Sequence, residues 1–201
     1  MFAHSRIARC AAVAAMSALS LGVAAASLSA QPMSTADQIA SAILALPTEM
    51  QADAGVLGYK TGTKLEQLRP AKNGMLCLAD DPSDDELHVS CYHVGMEPFM
   101  ARGRALREGG TKGTMVDSVR FAEVKSGKIK MPKDPATLYQ IFAPKGSYSA
   151  GKFTGGRRLT VVYIPYATEA STGLSSKSSA TAPWLMFPGT PKAHIMFSSS
   201  M

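Results

Sequence analysis

The first thing missing from this 201-residue sequence is acid at its start: residues 1–30 contain no Asp or Glu. They hold Arg6 and Arg9 and an apolar, alanine-rich run over 11–26 that is short of strongly apolar residues for a membrane-spanning helix. A membrane anchor is the competing reading. A secretory leader accounts better for the positive start and for the small residues after the run, with A-x-A sites ending at Ala26 or Ala30. No adjacent arginine pair marks twin-arginine export, and Cys10 precedes the apolar run, where a lipoprotein cysteine would follow it. No later run is long and apolar enough to span a bilayer. The expectation is a signal peptide at 1–30, a single domain at 31–201, and a periplasmic or secreted protein without a membrane span.

Charge is also scarce, at 18% of residues, and the net +6 falls to +4 once Arg6 and Arg9 are set aside. That excess is too mild to argue for nucleic acid. Hydrophobic residues make up 46% of the chain, which excludes disorder, collagen and coiled coil. Cysteine is nearly absent: beyond Cys10 only Cys77 and Cys91 remain, and an oxidising compartment would join them in a disulfide, leaving no thiol nucleophile. The motifs G-x-S-x-G and H-E-x-x-H are missing, as is any internal repeat.

What is present reads as alternating elements. Ser34 and Asp37 resemble a capping box, and Ile39, Ile43 and Leu46 recur at helical spacing until Pro47, which predicts a helix over 35–46. Extended segments are expected at 56–59 and 64–69. Asn73-Gly74 favours a hairpin turn between the 64–69 segment and a strand at 75–78, and a further strand at 88–93 carries the cysteine that would bond Cys77 across the acidic loop. Pro98 near a helix start and Gly109-Gly110 at its end predict a second helix carrying Arg102, Arg104 and Arg107 on its surface. A weaker helical pattern spans 114–125. Residues 136–143 and 159–164 are β-rich and joined by a glycine-rich hairpin loop over 145–158. Beyond Thr168 a Ser/Thr/Ala stretch reads as a mobile loop, followed by strands at 184–187 and 194–197. The whole predicts an α+β fold with a mainly antiparallel sheet, two or three short helices and one disulfide.

Several chemistry-bearing patterns fail on inspection. Residues 146–153 (GSYSAGKF) fit most of a phosphate loop, but Phe153 stands where the Mg²⁺-binding hydroxyl belongs and a strand follows where a helix should start. Five carboxylates within 80–86 lack the calcium-loop spacing and read as a solvated acidic loop. Cys77, His88, Cys91 and His93 crowd together like zinc ligands, yet strand alternation puts His88 on the opposite face from Cys91 and His93. The segment from Cys91 to Met96 echoes a blue-copper loop with too tight a Cys-to-His spacing. No metal or cofactor is expected.

The segments CLADDP (77–82), CYH (91–93), PFMARGR (98–104), VVYIP (161–165) and PWLMFPGT (183–190) with AHIM (193–196) resemble a group of uncharacterised exported bacterial proteins. The likeness covers nearly all of residues 46–197 and implies export, but brings no activity and no catalytic residues. Members of that group often carry an acid where this chain has Phe187, a departure that weakens any pairing of His194 with a carboxylate there.

Two functional expectations follow. The first is an exported, non-catalytic binding or accessory domain for an unknown ligand or protein partner, with Trp184, His194, His93 and Arg102 as candidate binding residues. The alternative is a small exported hydrolase using His93 or His194 as general base. A third, metal handling, rests on ten methionines and three histidines after residue 30, although methionines scattered this widely usually fill cores.

Overall fold

The computed structural model describes Met1 and residues 33–62 and 64–200, the latter all within the unit Gln31–Met201. The expected leader at 1–30 lies outside the described residues, Met1 apart. Helix α1 (Thr35–Ile43) starts where Ser34 accepts the Asp37 amide. It ends before Leu46 because the amides of Leu44, Ala45 and Leu46 reach carbonyls only three residues back, tightening the last turn ahead of Pro47. A single turn, α2 (Thr48–Gln51), follows.

The centre of the domain is an eight-stranded sheet. Its strands are β1 (Gly55–Gly58), β2 (Glu66–Arg69), β3 (Met75–Leu78), β4 (Glu86–His93), β5 (Ala136–Pro144), β8 (Arg157–Tyr163), β9 (Trp184–Met186) and β10 (His194–Ser200). They lie in the order β2-β1-β3-β4-β5-β8-β10-β9, antiparallel throughout except for β1 with β3. That parallel pair corrects the expected Asn73-Gly74 hairpin. β2 and β3 are not neighbours, since β1 lies between them, and Asn73 instead ties its turn to the Met50 carbonyl and the Met75 amide. Cys77 and Cys91 face each other on β3 and β4 and form the disulfide.

Between β4 and β5 come α3 (Glu97–Glu108) and α4 (Thr114–Lys125), after a 3-10 turn at Val94–Met96. The segment expected to be a plain loop over 145–158 carries a two-stranded ribbon, β6 (Tyr148–Ser149) with β7 (Lys152–Phe153). Ala150 and Gly151 both take positive φ at its turn, the backbone twist that a two-residue hairpin requires. The stretch from Thr168 to Pro183 is a loop over most of its length, with no helix or strand over 173–183. It opens with α5 (Glu169–Thr172), which has a full capping box at Thr168 and Ser171, and it is tied to β9 by the Leu185 amide on the Ser175 carbonyl. Five α-helices among the described residues exceed the two or three expected, and two of these are single turns.

The two sheet faces differ in what covers them. On one, α1 and the β6–β7 ribbon pack over Val56, Cys77, Val89, Cys91 and Ile141, all fully buried. Leu174 and Ile164 close the same face over Leu185 and Ala193 at the other end of the sheet. Buried Gln38 locks α1 down, its amide pairing with both the N–H and the C=O of Tyr59 beyond β1. The second face is covered by α3 and α4 together with the 3-10 turn before them and the segment after them. Met96, Phe99 and Ile129 pack onto Tyr92, Ala136, Leu138 and Tyr163 there.

Candidate functional site

Strand alternation dictates what the second face displays. Leu87, Val89 and Cys91 point to the α1 side, so His88, Ser90 and Tyr92 point to the other. The antiparallel register then sets Gln140 beside Ser90, Leu159 beside Gln140, and Met196 beside Val161. Where α3 and α4 stop, this surface opens into a cleft of about 670 Å³, within the usual range for small-molecule sites. Its floor is Leu138, Leu159, Val161 and Met196. The strands β4 and β10, whose side chains line its opposite sides, have two strands between them, about 14 Å at the usual interstrand spacing.

The basic end is built by the helices and the strand β10. Met100, Arg104 and Arg107 fall at i, i+4 and i+7 of α3 and so share the face over the cleft. Arg104 donates to the Tyr92 hydroxyl at 2.8 Å and to Glu97 at 2.6 Å, while Tyr92 itself bonds Glu97. Arg107 is exposed and forms no ion pair or side-chain hydrogen bond among the described residues. Arg120 on α4 is only 4% exposed. Its guanidinium lies 3.9 Å over the Phe99 ring and bonds Asp117, in space that Gly103 leaves open: a β-carbon there would stand 2.9 Å from Arg120 Nη1. Asp117 also accepts Lys192 Nζ at 2.9 Å. Burial works against the Asp117 charge, but the hydrogen bonds from Lys192 and Arg120 outweigh it and hold the carboxyl below its ordinary pKa.

His194 sits at this end, 5% exposed, between the rings of Tyr163 and Phe187. Its Nδ1 lies 2.6 Å from the Lys192 carbonyl. A carbonyl only accepts, so Nδ1 carries the proton and Nε2 bears the lone pair in the neutral ring. Burial holds this histidine below its ordinary pKa, against the opposing pull of the carbonyl bond. Phe187, on the rim, has φ of +54°, a region that L residues rarely occupy, and the Lys192 ammonium lies 4.3 Å over its ring.

The far end is acidic and polar. Asp81, Asp84 and Tyr59 line it beside His88. His88 stacks on Phe142 at 4.2 Å, and the Gln140 amide meets its Nε2 at 2.8 Å. Burial lowers the His88 pKa, and burial together with Asp81 and Asp80 raises that of Asp84. The acidic loop is not wholly solvated as expected: Asp80 is buried, pairs with Lys145 at 2.8 Å and accepts the His88 amide. Among the described residues, no group of three or more His, Cys, Asp or Glu side chains is arranged to hold a metal ion.

The four residues singled out from the sequence do not converge. His194 lines the cleft; Trp184 lies at the sheet edge on the same face, across from Met196. His93, one residue past Tyr92 on β4, falls on the opposite face and accepts the Gly95 amide. Arg102 points to α4, where it grips Glu123 through two bonds of 2.7 and 2.8 Å. Those bonds, with one from Lys128, pull Glu123 down to about 2. Arg120, Lys192 and Gln140 were missed, while Arg104 and Arg107 read as part of a basic helix face and His88 only as a zinc ligand that fails. The spacing of Met100, Arg104 and Arg107 was the available signal, as was a lone glutamine inside an otherwise β-rich run.

No protein-family model, no curated protein and no solved structure matches this chain.

Proposed function

We propose that this is an exported binding protein whose cleft on the second sheet face takes a small organic ligand. The observation that carries the reading is a roughly 670 Å³ cleft that combines an apolar floor with buried polar side chains at its rim. Export is supported by the acid-free, alanine-rich residues 1–30 and by a disulfide compatible with an oxidising compartment. The resemblance read from the segments at 77–82, 91–93 and 98–104 would imply export as well.

Binding is favoured over a histidine-based hydrolase by what each described ring touches. A triad-type general base has its imidazole oriented and its imidazolium stabilised by a carboxylate. His194 bonds a backbone carbonyl, His88 an amide, and His93 a backbone N–H. Asp117, the carboxylate whose charge reaches His194, is already occupied by Arg120 and Lys192.

Native mass spectrometry of the protein recovered from periplasm or culture medium tests both claims at once. The expected spectrum shows a polypeptide shortened by the leader and a fraction carrying one small-molecule adduct that is lost on denaturation. A full-length mass confined to the cytoplasm sinks export. Adduct-free protein in every fraction, including after incubation with cell extract of small molecules, sinks the binding role.

A further inference from the structure

We propose that the ligand is a single-headed anionic amphiphile, its head held by Arg107, Arg120 and Lys192 and its apolar chain laid along the cleft floor. The inference rests on the binding role proposed above and names the chemistry of what is bound.

Charge at the helix end is out of balance. Arg104 has Glu97, but Asp117 is the single carboxylate between Arg120 and Lys192, and Arg107 has no partner among the described residues. The end therefore carries an excess of two positive charges. Arg120 is buried and Lys192 half-buried, and they share one carboxylate, so a second anion between them would complete their pairing, with exposed Arg107 adding to the attraction at the rim.

Arg120 makes the case specific. It is 96% removed from solvent, and its Nη atoms are used on Phe99 and Asp117. Its Nε is buried with no acceptor among the described residues. Buried donors in native proteins are nearly always satisfied, and since Arg120 lines the cleft, the acceptor we assign to it is the anionic head of the ligand. Arginine suits this task because its N–H groups match the oxygens of a carboxylate or phosphate.

The rest of the cleft selects the remainder of the molecule. The floor is apolar: Leu138, Leu159 and Val161 are buried side chains and Met196 is half-buried, so an alkyl or aryl chain can lie against it without stripping water from polar groups, a contact that a bare inorganic anion would not use. The far end sets direction: Asp81 and Asp84 repel an anionic head, so the head lies under the helices and the chain runs away from them. The head can be carboxylate or phosphate, and the shared requirement is one anionic group on one apolar chain.

Trp184, the sole tryptophan in the chain, lies beside the floor residue Met196 and gives the readout. The full chain is titrated below micelle-forming concentrations with decanoate, decyl phosphate, decanol, decyltrimethylammonium and acetate. Decanoate or decyl phosphate is expected to bind at least tenfold more tightly than decanol, with no saturable response to decyltrimethylammonium or acetate. Arg107→Gln, on an exposed position that leaves the fold intact, should weaken the anionic ligands about tenfold and leave decanol unchanged. Lys192→Gln should do the same. Comparing decanoate with decyl phosphate identifies the head. Equal affinity for decanol and the anions, or anion affinity unmoved by both substitutions, overturns the inference while leaving a binding cleft. Absence of any response overturns it too, and the native-mass adduct then decides separately whether the binding role survives.

Discussion

The same strands present two different surfaces to the two sides of the sheet. On the α1 side Val56, Cys77, Val89, Cys91 and Ile141 are sealed beneath a helix and a ribbon, and Leu185 and Ala193 beneath the segment after Tyr163. On the other side those strands show Ser90, Tyr92, Gln140 and His194 beneath two helices that stop short of full cover. A sheet buried on both faces would gain more apolar contact from leucine or valine at these positions. Keeping hydroxyl, amide and imidazole there costs stability, and the cleft is the feature that accounts for them. The disulfide belongs to the first surface: Cys77 and Cys91 are both fully buried, and their role is to hold β3 to β4.

The largest expected effect comes from truncating one residue on each side. Ile141 is fully enclosed, so Ile141→Ala loses transfer energy and leaves a sealed void, about 4 kcal/mol together. Leu159→Ala opens onto the cleft, where water or ligand fills the space, and about 2 kcal/mol is expected from lost transfer energy alone. Urea unfolding of the two variants measures both. Equal losses would mean that the second surface is packed as tightly as the first, and the cleft would lose its meaning as a site.

A smaller effect sharpens the same contrast. Gln140 on β5 lies between Ser90 and Leu159 and spends its amide on His88. Gln140→Leu exchanges one hydrogen bond, worth about 1 kcal/mol net, for apolar surface of similar value. Stability should therefore move by less than about 1 kcal/mol in urea, with the chain still folded. A loss above 3 kcal/mol would make the glutamine part of the structural core and remove it from the ligand-facing surface.

Which of these features could be read from the chain follows from how local each signal is. Helix α4 occupies the 114–125 span expected from its periodicity, and β5 differs by one residue, since both depend on side chains within one segment. The Cys77–Cys91 bond followed from having two cysteines left to pair. The Asn73-Gly74 turn was recognised, but turn chemistry says only that the chain reverses. That β1 would lie between β2 and β3 depends on contacts distant in sequence. The arginines of α3 show the same limit at the site. Arg102, Arg104 and Arg107 read as one basic surface, while the helix turns Arg102 onto Glu123 of α4 and the other two over the cleft. Lys192 and Arg120 are 72 residues apart and meet only through Asp117. His194 stood out because it shares a strand face with Met196 and follows a Pro- and Gly-rich turn beside the sole tryptophan, signals that are local to one segment, whereas Lys192, Tyr163 and Phe187 around it come together only in the fold.

The smallest effect concerns protons, and it separates the two surfaces by titration. His88 and His194 both face the cleft, and burial lowers the pKa of each. In the unfolded chain a histidine takes up its proton near pH 6.5, before the folded one does. As pH falls below that value the unfolded state binds more protons, and stability drops until the folded pKa is passed. Above pH 6.5 both states are neutral and these residues contribute no slope. The groups facing His194 are Lys192 and Asp117; those facing His88 are Asp80, Asp84, Glu86 and Arg157. Carboxylates held low by their partners, such as Glu123, release their contribution only in more acidic solution. Between pH 6.5 and 5.5 the loss therefore belongs to the cleft histidines. Urea midpoints at pH 7.5 and 5.5 should differ less in His88→Gln and in His194→Gln than in the parent, and least in the double variant. An undiminished drop in the double variant would move the proton-sensitive groups off this face of the sheet.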